Sequence, residues 1–197
     1  MLVYRLGSRR YPANDGQGAN LYGGRWNHKG TPVIYAAASR ALCALEVLAN
    51  ASELPVDYVV TPIELPNDLP IITLPIDGLP LKWNAAQPTS ETADIGTAWA
   101  RKLESVVLVV PSAVITQEQN YILNPHHDDF LRVRFLPPEP FHFDERLRRA
   151  WPKRERHFGH CPAPKPLRAL LCYAVYGHHV DAIHAAGAHQ ETVHCHA

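Results

Sequence analysis

Residues 33–51 read VIYAAASRALCALEVLANA, and this stretch predicts a buried strand followed at once by a buried helix. The run 33–37 is short and apolar, which is typical of a strand inside a sheet. Ser39 then offers a side-chain oxygen as the N-cap of a helix that continues to about Ala51. Because this helix is apolar almost all round, most of it should lie against a core.

Glu46 is the only charged residue between positions 41 and 51. Helical spacing places it on one stripe with Leu42, Leu45 and Ala49. An ionised carboxylate on such a stripe is costly unless it is paired or faces a wet cleft. Two interpretations follow: a structural ion pair or exposed helix edge, and an acid that serves a functional cleft.

A candidate partner for this acid lies upstream in YGGRWNHKG, residues 22–30. Arg25 follows two glycines, and residues 7–30 hold six of the eleven glycines, which predicts a long irregular loop. Arginine presents a planar fork that suits phosphate or carboxylate. Trp26 and Tyr35 offer flat faces for a heteroaromatic ring. A surface arginine next to an aromatic residue, with no role in binding, would give the same sequence pattern.

Apolar periodicity predicts further elements on both sides of this stretch. Strands are expected at 2–6, 106–110, 130–136 and 141–143, and an amphipathic helix at 90–102. Residues 54–88 carry seven prolines around two apolar runs, which favours edge strands.

Three polar residues follow the predicted strand at 106–110. Ser112 would lie at the carboxyl end of that strand, where open α/β sheets place ligand contacts, although a turn serine fits as well. Asn120 and Asn124 flank an apolar turn. Asn124 precedes Pro125, so it signals a turn first and a binding residue second.

The composition narrows the classes of function that remain. Nineteen basic residues balance nineteen acidic ones, so the chain lacks the basic field on which nucleic-acid binders depend. No apolar run is long enough to span a membrane, and the opening MLVYRLGSRRYP holds no apolar signal segment. P-loop, GxGxxG, GxSxG and HExxH motifs are absent. We therefore expect a cytoplasmic protein without direct nucleic-acid or membrane contacts.

The segment 149–197 differs in composition from the rest of the chain. It holds eight of the twelve histidines and three of the four cysteines, and prolines at 152, 162, 164 and 166 interrupt regular structure. Structural zinc sites use paired spacings that these residues lack, so no metal is expected. The pattern predicts one domain over 1–148 and a poorly ordered extension over 149–197, either a genuine appendage or the product of a shifted reading frame.

Two long segments resemble the two halves of the RES domain. The first is residues 4–48, YRLGSRRYPANDGQGANLYGGRWNHKGTPVIYAAASRALCALEVL. The second is residues 104–147, ESVVLVVPSAVITQEQNYILNPHHDDFLRVRFLPPEPFHFDERL. The motifs recur in the family's order over roughly residues 2–147. This family is named for its Arg, Glu and Ser, and typically supplies the toxin of a RES–Xre toxin–antitoxin pair.

The resemblance implies an α+β fold with mixed, largely antiparallel sheets around an NAD cleft, similar to ADP-ribosyltransferases. It implies that Arg25, Glu46 and Ser112 are catalytic. The implied NAD-contacting residues are Tyr35, Trp26 and Asn124, and Trp26 stands where relatives can carry tyrosine. NAD is then a substrate, and no metal is implied.

The implied function is a toxin that cleaves the nicotinamide–ribose bond of NAD by hydrolysis or phosphorolysis. One alternative is ADP-ribosyl transfer to a host protein, and another is a non-catalytic, antitoxin-binding subunit of a repressor complex. The implied partner is an Xre-like antitoxin that blocks the active site. Pairing with a second copy of the chain stays open.

Overall fold

The computed structural model describes residues 1–150, with the side chains of residues 1–147. Its strands are β1 (Leu2–Ser8), β2 (Ile34–Ala37), β3 (Tyr58–Glu64), β4 (Ile71–Thr73), β5 (Val107–Pro111), β6 (Gln119–Leu123), β7 (Arg134–Phe135) and β8 (Glu139–Phe141). Its α-helices are α1 (Gln17–Tyr22), α2 (Arg40–Asn50) and α3 (Ser90–Lys102). Short 3₁₀ helices cover Ile76–Gly78, Asp128–Arg132 and Glu145–Ala150.

The described strands form one sheet in the order β4-β5-β6-β2-β1-β3-β7, with β8 also paired to β3. Every pairing among them is antiparallel except that of β4 with β5. The central strands β5, β6 and β2 lie side by side, and Asn120 of β6 is paired with both Ala37 and Val110. The predicted α+β, largely antiparallel architecture is confirmed.

Alternating side chains send two apolar clusters to opposite faces of the sheet. Ile34, Val107 and Val109 belong to one cluster. Tyr35 and Leu108 belong to the other, which also contains residues of α2 and α3. The two helices therefore cover the face of the sheet that carries Tyr35.

The helix predicted after Ser39 is present as α2, and its N-cap is confirmed. The Ser39 hydroxyl oxygen accepts a hydrogen bond from the backbone N–H of Leu42 at 3.1 Å. Glu46 is buried on this helix, whereas Leu45 is 43% exposed. The helix is thus less completely buried than its apolar sequence predicts, because it lies on the sheet with one side only.

Replacing Ser39 by alanine is expected to lower the free energy of unfolding by about 1 kcal/mol, because the Leu42 N–H loses its acceptor. Thr89 provides a matched control, since it is the N-cap residue of α3 but its side chain makes no capping hydrogen bond. Urea unfolding of Ser39→Ala and Thr89→Ala measures the difference. Equal losses in the two variants would contradict a capping role for Ser39.

One prediction about the first half of the chain is wrong, and another holds only in part. Residues 7–30 are not one irregular loop, since β1 extends to Ser8 and α1 lies within the segment. Of the two edge strands expected over 54–88, β4 does lie at the edge of the sheet. The strand β3 does not, since β1 pairs with it on one side and β7 and β8 pair with it on the other. Pro62 is tolerated in β3 because its backbone faces away from β1, toward β7 and β8. On that side it lies between the stretch of β3 that pairs with β8 and the stretch that pairs with β7.

The strand predicted over 130–136 is largely wrong. Its first half is the 3₁₀ helix Asp128–Arg132, and only Arg134–Phe135 pairs with β3. The Nδ1 atom of His127 accepts a hydrogen bond from the Asp129 N–H and so caps the 3₁₀ turn. This side-chain cap outweighs the alternation of apolar residues that suggested a strand.

The helix at 90–102 and the strand near 106–110 are confirmed, the strand with a shift of one residue. Within the described residues, no helix has the length and apolar character needed to cross a membrane. Of the predicted C-terminal extension, residues 151–197 lie outside the described residues.

Candidate active site

A cleft of about 270 Å³ opens beside α2. It is bounded by that helix, the loop 23–27, the segment 80–88 and the turn between β5 and β6. The lining residues are Arg25, Trp26, Tyr35, Glu46, Ala49, Asn50, Asn84, Ala86, Pro88, Ala113, Val114 and Asn120. Four residues singled out in the sequence, Arg25, Trp26, Tyr35 and Glu46, therefore share one cleft.

Glu46 is held in this cleft by two neutral donors. Its Oε1 atom accepts a hydrogen bond from the Ser112 hydroxyl at 2.7 Å and another from the Asn120 side-chain amide at 2.6 Å. Its Oε2 atom accepts none from the described residues, and no basic side chain among them forms an ion pair with Glu46. Glu46 as a whole residue is 7% exposed. It is therefore neither half of a close ion pair nor an exposed helix edge, and one of its oxygens is left for a ligand.

Arg25 is fixed by backbone carbonyls far along the chain. Its Nη1 donates to the Trp83 carbonyl at 2.6 Å, and its Nη2 donates to the Ala85 carbonyl at 2.8 Å. Burial lowers the pKa of the guanidinium from its ordinary value, while the negative charge of Glu46 raises it. A guanidinium remains protonated under such opposing effects, so the cleft holds one fixed positive and one fixed negative group.

The side-chain hydroxyl of Tyr35 holds the loop that carries Arg25. The Tyr35 hydroxyl donates to Oδ1 of Asn27 at 2.7 Å and accepts from the Trp26 N–H at 3.0 Å. Burial raises the pKa of Tyr35 above its ordinary value, so the hydroxyl stays protonated. A Cβ at Gly24 would lie 2.6 Å from the Tyr35 hydroxyl oxygen, which explains a glycine at this position.

Asn27 and α3 complete the support of this loop. The Asn27 side-chain amide donates to the carbonyls of Ala19 at 2.8 Å and Thr31 at 3.0 Å. A Cβ at Gly96 of α3 would lie 1.9 Å from the Trp26 carbonyl oxygen, so the helix can approach the loop only at a glycine. These contacts fix the backbone on both sides of Arg25, and its side chain enters the cleft from a rigid base.

The structure places Ser112 behind Glu46 rather than on the cleft surface. It is fully buried, and its hydroxyl oxygen also accepts from the N–H groups of Val114 and Ile115 at 3.1 and 3.0 Å. It is thus a turn serine whose hydroxyl also donates to the acid. Trp26 is 2% exposed, and only a small part of it borders the cleft.

The structure does not bring Asn124 into this cleft. Its side-chain amide donates to the Ala100 carbonyl at 2.8 Å, and its Oδ1 accepts from the His126 N–H at 3.0 Å. Asn124 borders a different pocket next to the end of α3. Both of its side-chain ends serve the local fold, as its turn signal in the sequence suggests.

Sequence reasoning gave no role to Asn120 and did not single out the segment 80–88. The segment supplies Asn84, Ala86 and Pro88 to the cleft as well as the two carbonyls that hold Arg25. Knowledge of the strand order, with β6 between β2 and β5, would have placed Asn120 near Ser112. Among the described residues, no group of three or more His, Cys, Asp or Glu side chains could hold a metal ion.

The mostly antiparallel mixed sheet, with an acid and an arginine in one cleft beside it, has the ADP-ribosyltransferase-like fold that the sequence resemblance implies. A solved structure shares this fold. The toxin in the M. tuberculosis MbcT–MbcA toxin–antitoxin complex superposes with a TM-score of 0.58 at 21% identity, and the match covers 72% of this chain and 84% of that one. The predicted fold is confirmed.

The RES domain family model matches residues 2–144. A protein named Toxin Res from Photorhabdus laumondii is 41% identical over 155 residues, which cover 76% of this chain and 99% of that protein. Toxin Res from Yersinia enterocolitica is 38% identical over 75% of this chain and 100% of its own length. A Prs ADP-ribosylating toxin from Sphingobium is 34% identical over 71% of this chain and 91% of its own length. The chain belongs to the RES domain family and is a toxin of that kind.

Proposed function

We propose that this toxin consumes NAD by breaking the bond between nicotinamide and ribose. The observation that carries the proposal is the buried Glu46 side chain at the cleft. Two donors hold one of its carboxylate oxygens, and no donor among the described residues binds the other. The name of the Sphingobium relative supports a reaction that uses NAD.

The chemistry of the bond fits these residues. When the C1′–N1 bond breaks, its electron pair moves to the nicotinamide nitrogen, which becomes neutral, and positive charge develops on the ribose. A carboxylate oxygen near the ribose stabilises that charge and accepts a hydrogen bond from a ribose hydroxyl. In this proposal Glu46 Oε2 takes both roles. Nicotinamide leaves as a neutral molecule without needing further activation.

Arg25 takes the role of the diphosphate clamp. Two of its N–H groups bind carbonyls, and its remaining N–H groups are left for phosphate oxygens. The small parts of Tyr35 and Trp26 that border the cleft then lie against a flat ring of the substrate. Ser112 acts through Glu46, and Asn124 has no role in the proposal.

The acceptor of the ribosyl group distinguishes three reactions. Attack by water on C1′ gives ADP-ribose and a proton, attack by phosphate gives the 1-phosphate of ADP-ribose, and attack by a protein side chain gives a modified protein. The name of the Sphingobium relative favours the third as the second candidate. NAD labelled in the adenylate phosphate, incubated with the purified chain and a cell extract, separates them. We expect free ADP-ribose from hydrolysis or its 1-phosphate from phosphorolysis, whereas label on a protein band would replace both by transfer.

We also propose an antitoxin partner that covers the cleft in the cytoplasm. The solved structural neighbour is a toxin–antitoxin complex, which supports a partner of that kind. We expect a small Xre-like helix-turn-helix protein encoded beside this chain. Adding it to the labelled-NAD assay should stop product formation, and continued turnover in a stable complex would exclude a blocking role.

A further inference from the structure

Asn120 makes two different kinds of contact with its side chain. Its amide nitrogen donates to Glu46 Oε1 at 2.6 Å. Its Oδ1 atom is buried and has no hydrogen-bond partner among the described residues. Because an ionised carboxylate can only accept, the bond to Glu46 fixes which end of the side chain is the nitrogen.

The unpaired oxygen argues against a purely structural role for this side chain. A buried acceptor without a donor costs about 1–3 kcal/mol, so Asn120 does not have the contacts of a residue kept for stability. Its backbone pairing with β2 and β5 does not depend on the side chain. Among the described residues, the bond to Glu46 is the one favourable polar contact that the side chain makes.

We propose that Asn120 is a positioning residue that sets the orientation of the Glu46 carboxylate, an inference that rests on the proposed function. Asn120 and Ser112 both bind Oε1, from the side of β6 and from the turn after β5. Two donors on one oxygen prevent the carboxylate from rotating about its last bond. Oε2 is thereby kept toward the cleft, where the ribose charge develops.

Asn120 is a sharper probe of this orientation than Ser112. The Ser112 hydroxyl oxygen also caps the turn through Val114 and Ile115, so its removal disturbs the backbone as well. Replacing Asn120 by alanine removes one donor from Glu46 and leaves the ladder of β6 intact. Orientation of a transition-state group affects kcat more than KM.

The test compares Asn120→Ala with a control on the same strand, Gln119→Ala, whose side chain is exposed. Nicotinamide release should show kcat lower by about 10- to 30-fold in Asn120→Ala, with little change in KM or in melting temperature. Gln119→Ala should match the parent. A parent-like kcat in Asn120→Ala, or a loss explained by a lower melting temperature, would overturn the proposal.

Asn120→Asp separates orientation from simple loss of a side chain. The new carboxyl has the same shape but can donate to Glu46 only while it is protonated. The charged or titratable groups lining the cleft are Arg25, Tyr35, Glu46 and this new carboxyl. Relative to the parent, Asn120→Asp should therefore regain kcat as the pH falls, whereas Asn120→Ala should not. The same pH profile in both variants would contradict positioning by a donor.

Growth arrest on expression is a second readout, and it distinguishes failure of this inference from failure of the proposed reaction. If the parent arrests growth but releases no nicotinamide, the proposed function fails and Asn120 is judged by growth alone. Asn120→Ala must then relieve the arrest relative to Gln119→Ala. If the parent consumes NAD and Asn120→Ala does so equally well, the inference about Asn120 fails and the proposed function stands.

Discussion

Glu46→Gln should reduce nicotinamide release by at least about 100-fold in kcat, the loss that follows removal of a group preorganised for transition-state charge. The glutamine oxygen can still accept from Ser112 and Asn120, so the side chain should keep its place. The amide nitrogen then replaces Oε2 in the cleft. The site loses its negative charge and presents a donor where a ribose hydroxyl needs an acceptor.

Glu53→Gln is the matched control for this variant. It makes the same chemical change at an exposed position shortly after α2. Initial rates of nicotinamide release, together with melting temperatures, compare the two variants with the parent. Growth arrest should disappear in Glu46→Gln and persist in Glu53→Gln. A folded Glu46→Gln protein that releases nicotinamide at the parent rate would remove the central residue of the proposal.

The place of Glu46 in the cleft could be predicted because the signal is local. One acid in an otherwise apolar helix stands out from periodicity alone, and Ser39 marks where that helix begins. The position of Arg25 in a glycine-rich loop was also visible. Both features can be recognised from the spacing of residues along the chain and from the order of motifs in the resemblance to the RES domain.

The donors around the acid could not be predicted in the same way. Asn120 contacts Glu46 only because β6 lies between β2 and β5. This strand order depends on tertiary pairing. Trp83 and Ala85 contribute carbonyl groups, and a backbone carbonyl leaves no trace in the residue types. For Asn124 the turn signal was a better guide than the expected binding role, because local hydrogen bonds use both ends of its side chain.

Arg25→Ala should lower kcat/KM for NAD by about 100- to 1000-fold, chiefly through KM, because a diphosphate clamp of two charge-assisted hydrogen bonds is lost. Arg25→Lys should recover little of this. A lysine ammonium is a compact point charge and cannot bind the Trp83 and Ala85 carbonyls in the spread geometry of a guanidinium. Arg10→Lys, at an exposed position, should behave like the parent.

Arg25 also holds the segment 80–88, which forms one wall of the cleft. Its two duties, binding the diphosphate and supporting this segment, can be measured separately. Hydrogen exchange should be faster at the amides of Trp83 and Ala85 in Arg25→Lys, since their turn bonds to the Pro80 and Lys82 carbonyls lose the support of the guanidinium. A rise in KM together with faster exchange supports both duties. Faster exchange with an unchanged KM would make Arg25 a wall residue only, and the diphosphate would then need another cation.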